Sequence, residues 1–213
     1  MLLDSGYCHC FAAMKSEMST PPPQRPTPEE LREAVGKPMP DIIAPHLKVL
    51  FCGINPSVYS VVVGHHFARP GNRFWPALHG SGFTPRRFAP QEDEKLLELG
   101  LGITNIAARS SVAAADLPAQ EYKEGAQILE AKMLQYQPRF LAVLGVTAYR
   151  AGFGRPHAVL GLQEESIGAT RIWVLPNPSG LNAHYQPPAL ARLFGELREF
   201  AEAELSSESA ATS

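Results

Sequence analysis

Two short loops hold the residues with which this chain could do chemistry, Gly53-Ile54-Asn55-Pro56-Ser57 and Pro176-Asn177-Pro178-Ser179-Gly180-Leu181-Asn182. Asn-Pro alone is an ordinary turn dipeptide. Two Asn-Pro-Ser segments, each closing a short apolar run, point instead to one site built from carboxamides and backbone amides. A carboxamide has no lone pair basic enough to take a proton near neutral pH, but it can orient a water or a polar ring. Conventional base catalysis needs a carboxylate, and Gln91-Glu92-Asp93-Glu94 supplies candidates. Acidic residues in a first helical turn complement the helix dipole. If that turn approaches the site, Asp93 could instead serve as the general base.

Other chemistries lack their residues. Gly100-Leu101-Gly102 has no third glycine for a dinucleotide loop, and the chain has no Gly-Lys-Ser/Thr phosphate loop, no H-E-x-x-H and no G-x-S-x-G elbow. Cys8-His9-Cys10 is short of the roughly four ligands that zinc or an iron–sulfur centre takes. Cys52 lies in an apolar run, where a buried thiol is the ordinary outcome. No metal and no cofactor is expected.

The elements that would position the two loops alternate along the chain. Apolar runs at 48–55, 101–107, 140–145 and 171–175 read as strands buried on both faces. Tyr122, Ala126, Leu129, Met133 and Tyr136 follow helical spacing, as do Leu190, Leu193 or Phe194, Leu197 and Phe200. Gln91 to Leu99, closed by Gly100, reads as a shorter helix, and Thr27-Pro28-Glu29-Glu30 starts a capped helix that runs through about Val35. Strands alternating with helices imply parallel pairing by right-handed crossovers, helices on both faces, and ligands beyond the carboxyl ends of the strands. The Pro-rich stretch Thr20 to Pro26 reads as extended linker. Residues 1–26 are therefore expected to be a disordered extension, 27–204 the folded domain and 205–213 a disordered tail.

Composition bounds the partners. The 213 residues are 45% hydrophobic and 19% charged, a globular composition. Nineteen Lys and Arg against 21 Asp and Glu leave a formal charge of -2, which speaks against a polycation that coats nucleic acid by charge alone. Five glutamates against one arginine give the stretch 196–208 a net -4, so the remainder carries +2. No apolar stretch approaches the ~18 residues of a membrane span, the first twenty residues lack the regions of a signal peptide, and three cysteines are too few for a disulfide framework. The expectation is a monomeric, cytoplasmic protein without membrane contact.

Gly53-Ile54-Asn55-Pro56, then Gly64-His65-His66-Phe67-Ala68-Arg69-Pro70-Gly71-Asn72-Arg73-Phe74-Trp75, then Asn177-Pro178-Ser179-Gly180-Leu181-Asn182 resemble the mismatch-specific uracil- and thymine-DNA glycosylases. The likeness extends from about Pro40 to Arg198 and includes Gly102-Ile103-Thr104-Asn105 and Tyr136-Gln137-Pro138-Arg139. Gly-His-His and Pro40-Asp41-Ile42 are similar to the thymine-glycosylase branch, Asn-Pro-Ser-Gly-Leu to the bacterial uracil branch. The resemblance implies a uracil-DNA-glycosylase-like α/β fold: a three-layer α/β/α sandwich around a mostly parallel sheet of about four to five strands. It also implies a monofunctional DNA glycosylase of base-excision repair, which hydrolyses the N-glycosidic bond of uracil flipped from G:U mispairs in double-stranded DNA. Abasic-site repair enzymes would act downstream.

Residue by residue, the resemblance places Asn55 at the attacking water. Gly53, Ile54, Ser60, Phe67 and Asn177 fall around the flipped base, with Phe67 stacked on it and Ser60 near C5. Ser179, Gly180, Leu181, Asn182 and Ala183 match the wedge that fills the gap and reads the unpaired guanine, with Leu181 as the plug. Bacterial relatives tend to carry Ser-Arg after this leucine, where the chain has Asn182-Ala183, and Asn177 stands where classical uracil glycosylases have a His. Arg69, Arg73 and Arg109, with Arg86 and Arg87 behind them, are the candidates for phosphate contacts. No lysine lies in either motif, so hydrolysis by water and not a Schiff base is the implied route. The alternatives are a lesion sensor that flips and binds mispaired bases without cutting, and a small-molecule α/β enzyme with similar loops.

Overall fold

A computed structural model describes residues 25–211. Most of the expected N-terminal extension, with Cys8, His9 and Cys10, lies outside the described residues, as do the last two residues of the expected tail.

Helix α1 (Pro28–Glu33) starts as its sequence dictates. The Thr27 hydroxyl accepts from the Glu30 N–H at 3.2 Å, and the Glu30 carboxylate accepts from the Thr27 N–H at 2.7 Å. This capping box satisfies two amides that the first helical turn leaves without partners.

Five strands follow: β1 (Val49–Gly53), β2 (Leu101–Asn105), β3 (Phe140–Leu144), β4 (Gly161–Ile167) and β5 (Thr170–Leu175), in the order β2-β1-β3-β5-β4. All pairings are parallel except β4 with β5, which is antiparallel. Side chains alternate across the sheet, and both faces are covered. Val49, Phe51, Phe140, Ala142 and Leu175 face Phe74, Leu78, Leu190, Phe194 and Leu197 of α3 (Phe74–Gly80) and α6 (Pro187–Ala211). Leu50, Cys52, Leu141, Val143 and Val174 face Leu129, Met133, Ala148 and Tyr149 of α4 (Ala119–Tyr136) and α5 (Val146–Phe153). The result is the three-layer α/β/α sandwich. Burial on both faces explains why β1, β2, β3 and most of β5 read as continuous apolar runs.

Four departures from the sequence reading have local causes. Strand β4 is an edge strand with burial alternating along it, so Leu162-Gln163-Glu164-Glu165 shows no apolar run. The segment Pro90–Leu99 is a 3-10 helix, not an α-helix. Helix α2 (Val58–Val63) forms from Val-Tyr-Ser-Val-Val-Val despite its β-branched residues, because Ser57 caps its start and Gly64, at φ +76°, closes its end. Finally, α6 continues to Ala211, past the point where a disordered tail was expected to begin.

Candidate active site

The chain leaves β1 toward β2 on one side and places β3 on the other, so a crevice opens where the strand order reverses. A cavity of about 110 Å³ lies there. Its walls come from the carboxyl ends of four strands: Gly53 at the end of β1 and Asn55 just after it, Asn105 at the end of β2, Leu144 of β3 and Asn177 after β5. This is well below the range of a drug-sized pocket, roughly 300 Å³ and more, and suits a single small ring. Of the expected base-pocket residues, Gly53, Ile54, Ser60, Phe67 and Asn177 all line it, together with Asn55, Arg69 and Ser179.

The Asn55 carboxamide is held by its nitrogen. Nδ2 donates to Ser111 Oγ at 2.8 Å and makes longer contacts, 3.4 Å each, with the Pro56 and Arg109 carbonyls. Ser111 in turn donates to the Ala113 carbonyl at 2.5 Å, which leaves its oxygen lone pairs for Asn55. Nδ2 is thus committed to the protein, and Oδ1 is the group left to accept from a guest. Gly53 leaves room beside it: a Cβ there would lie 2.4 Å from Asn105 Oδ1 and displace that carboxamide.

The turn after α2 builds the opposite wall. Ser60 is buried, its Oγ accepting from the Ala68 N–H at 3.2 Å. Phe67 adopts φ +52°, and its ring stacks on Phe74 with centroids 4.1 Å apart. It is both an anchor to the core and a cavity wall. Asp93 fixes this turn from behind: its carboxylate accepts from the His66 N–H at 2.9 Å and meets His65 Nδ1 at 3.1 Å. The His66 ring donates from Nε2 to the Pro40 carbonyl at 2.8 Å, and burial holds its pKa below the ordinary value. A carbonyl oxygen only accepts, so a neutral His66 keeps its proton on Nε2.

Asp93 therefore does not reach the cavity, and the expectation that it acts as a general base is corrected. Both its oxygens are engaged by the 64–67 turn and the Glu94 N–H. Among the described residues, the cavity lining contains no carboxylate and no lysine.

The second loop folds on its own polar groups. Asn177 Oδ1 accepts from the Ser179 N–H at 3.0 Å, and Asn182 Nδ2 donates to the Asn177 carbonyl at 3.0 Å. Leu181 is left 74% exposed at the tip, with Ala183 also exposed. The loop rests on the 69–73 segment so closely that a Cβ on Gly180 would sit 2.4 Å from the Gly71 carbonyl.

Arg73 locks that contact. Its guanidinium donates to the carbonyls of Asn182 and Tyr185, both at 2.7 Å, and of Gly180 at 3.3 Å. The assignment of Arg73 to phosphate is thereby corrected, since its donors hold the wedge loop. Arg109 is corrected likewise, because it forms a two-pronged pair with Glu121 at 2.7 and 2.6 Å. Ser111 and Asn105 were not singled out from sequence as site residues. Asn105 carried a signal, a polar residue closing an apolar strand at its carboxyl end.

The site is thus an open α/β sheet whose carboxamides converge, beyond the strand ends, on a cavity with room for a small ring, with an exposed apolar tip beside it. Residues 40–198 match the sequence model of the uracil DNA glycosylase superfamily, and the chain belongs to that superfamily. Its fold is similar to the solution NMR structure of a candidate uracil DNA glycosylase from Methanosarcina acetivorans, with a TM-score of 0.52 at 17% identity, over 77% of this chain and 99% of that one.

Proposed function

We propose that this protein is a monofunctional DNA glycosylase that hydrolyses the N-glycosidic bond of uracil flipped from G:U mispairs in double-stranded DNA. The observation that carries this reading is Asn55, which lines a cavity the size of one ring and is pinned through Nδ2 by Ser111, so that Oδ1 is its amide atom left to accept. A base in a duplex is out of reach, and flipping it costs about a few kcal/mol, less for a mispair. Leu181 is available to fill the gap, and Phe67 to flank the extruded ring.

In the reaction, Asn55 Oδ1 accepts a hydrogen bond from a water below C1′. The C1′–N1 bond breaks with its electron pair going to uracil, the water oxygen bonds C1′, and its proton ends on the departing base. No carboxylate lines the cavity to remove that proton early, so orientation and donors to the uracil anion carry most of the lowering of the barrier. The Phe67 N–H, which meets no acceptor among the described residues, is one such donor. The products are uracil and an abasic site. The absence of a lining carboxylate also favours a second reading, a sensor that flips and binds without cutting.

Labelled duplexes containing G:U, A:U or G:T, incubated with the protein and then treated with alkali, separate the two. Strand scission at G:U above A:U supports the glycosylase; tight mispair binding with no scission at any pair supports the sensor.

A further inference from the structure

His66 is the one histidine among the described residues that lines the base cavity, and neither the water nor the wedge makes use of it. It is held at three points. Its N–H donates to Asp93 at 2.9 Å, its carbonyl accepts from Trp75 Nε1 at 3.3 Å, and ring Nε2 donates to the Pro40 carbonyl at 2.8 Å. That leaves ring Nδ1, which meets no hydrogen-bond partner among the described residues. Although His66 is only 3% exposed, this nitrogen is not sealed in, because among the described residues the one sealed side-chain polar atom without a partner is Thr84 Oγ1. A partnerless atom that is not sealed opens on free space, and the space beside His66 is the cavity. With the proton kept on Nε2, Nδ1 offers a lone pair and nothing to donate. Turning the ring over would break the bond to Pro40, so this polarity is fixed. Asn105 differs: its carboxamide lines the cavity with no partner among the described residues and can present oxygen or nitrogen as a guest requires.

We propose that His66 reads the imide edge of the flipped base, Nδ1 accepting from the N3–H of a uracil-type ring and thereby excluding cytosine. The inference rests on the glycosylase reading for the identity of the guest, and it adds the residue that selects the ring. Uracil and thymine carry a proton on N3, whereas cytosine has a lone pair there and would set one acceptor against another. Sites built to hydrogen-bond a guest reject the analogue that leaves their polar groups unpaired. The His66 and Phe67 rings lie 6.4 Å apart between centroids at an angle of 47°, adjacent walls of which Phe67 offers a face to the guest and His66 a polar edge.

The test is a cycle between base and residue. Duplexes carry either uracil or 3-deazauracil opposite guanine, the second with a C–H in place of the N3–H, each on a 2′-fluoroarabino sugar that resists hydrolysis. Affinities are read by fluorescence anisotropy as the preference for uracil over the deaza ring, and comparing this ratio between variant and wild type cancels the differing ease of flipping. His66→Gln can keep a donor on Pro40 but sets no acceptor where Nδ1 stood, and it should reduce the preference by about 3- to 10-fold. His66→Asn gives up the Pro40 bond but brings its carboxamide oxygen to the Nδ1 position, and it should keep the preference to within about twofold. A purely structural histidine would behave the other way round. An undiminished preference in His66→Gln, or an equal loss in His66→Gln and His66→Asn, would overturn the proposal. Excision by the wild-type protein is scored separately on cleavable G:U duplex. No excision, with the preference lost in His66→Gln and kept in His66→Asn, would remove the glycosylase reading and leave the reading of N3–H standing.

Discussion

At the scale of single residues the site depends on which atom of a carboxamide is free. Asn55 could present either its oxygen or its nitrogen to a guest, and Ser111 decides the matter by accepting from Nδ2 while giving its own proton to Ala113. Removing the arbiter should be nearly as harmful as removing the amide. Asn55→Ala is expected to slow single-turnover excision from G:U duplex by on the order of 10²-fold or more, and Ser111→Ala by about 10- to 100-fold, because the amide then turns. Neither change touches the wedge, so DNA affinity by anisotropy should stay near wild type; a parallel loss of affinity would show that the network supports the loop and not the water. His66 adds a pH dependence. Its imidazole is buried and its folded pKa lies below the ordinary 6.5, so between 6.5 and that lowered value the unfolded chain binds a proton that the folded chain refuses. This residue's contribution to stability is constant above about pH 6.5 and falls as the medium is acidified below it. Urea denaturation at pH 7.5 and 5.5 should show a smaller acid loss for His66→Gln than for wild type.

At the scale of elements, the cavity is held by segments that never touch a guest. The 3-10 helix Pro90–Leu99 reaches under the 64–67 turn with Asp93, and the turn carries Phe67. Asp93→Ala strips a buried N–H of its acceptor, which costs about 1–3 kcal/mol. It should lower the melting temperature and weaken excision through displacement of Phe67, while the pH–rate profile keeps its shape; loss of the acid limb would instead restore Asp93 as the base. Strands buried on both faces announce themselves as apolar runs, and the two Asn-Pro-Ser loops mark their carboxyl ends, so sheet and cavity were legible. Strand β4 was not, because an edge strand with one wet face has no such run. Nor were the fates of Asp93, Arg73 and Arg109, since sequence gives a side chain's chemistry but not the partner that claims it. Glu121, which takes Arg109, lies 12 positions away on α4, and the carbonyls that take Arg73 lie more than 100 positions away. Ser111 was hidden for the same reason, its role existing only once it lies beside Asn55, 56 positions away in the chain.

At the scale of the whole molecule, a net charge of -2 sits uneasily with a duplex as partner until the charges are placed. Helix α6 begins beside the wedge loop at Pro187 and carries the acidic stretch along its 25 residues. At 1.5 Å per residue, Glu199 and Glu208 lie roughly 18 and 32 Å along the axis from its start. The Debye length is about 8 Å at physiological ionic strength and about 30 Å at 0.01 M. The glutamates are therefore invisible to DNA at the wedge in ordinary salt and felt only when salt is withdrawn. Glu199, 73% exposed in its side chain and 3.6 Å from Arg198, can be neutralised with little effect on packing. The double variant Glu199→Gln with Glu208→Gln should bind mispaired duplex as wild type does at ~0.15 M salt and more tightly at ~0.01 M. Tighter binding at both salt concentrations would mean that the helix end lies against the DNA, and would move the interface away from the strand ends toward α6.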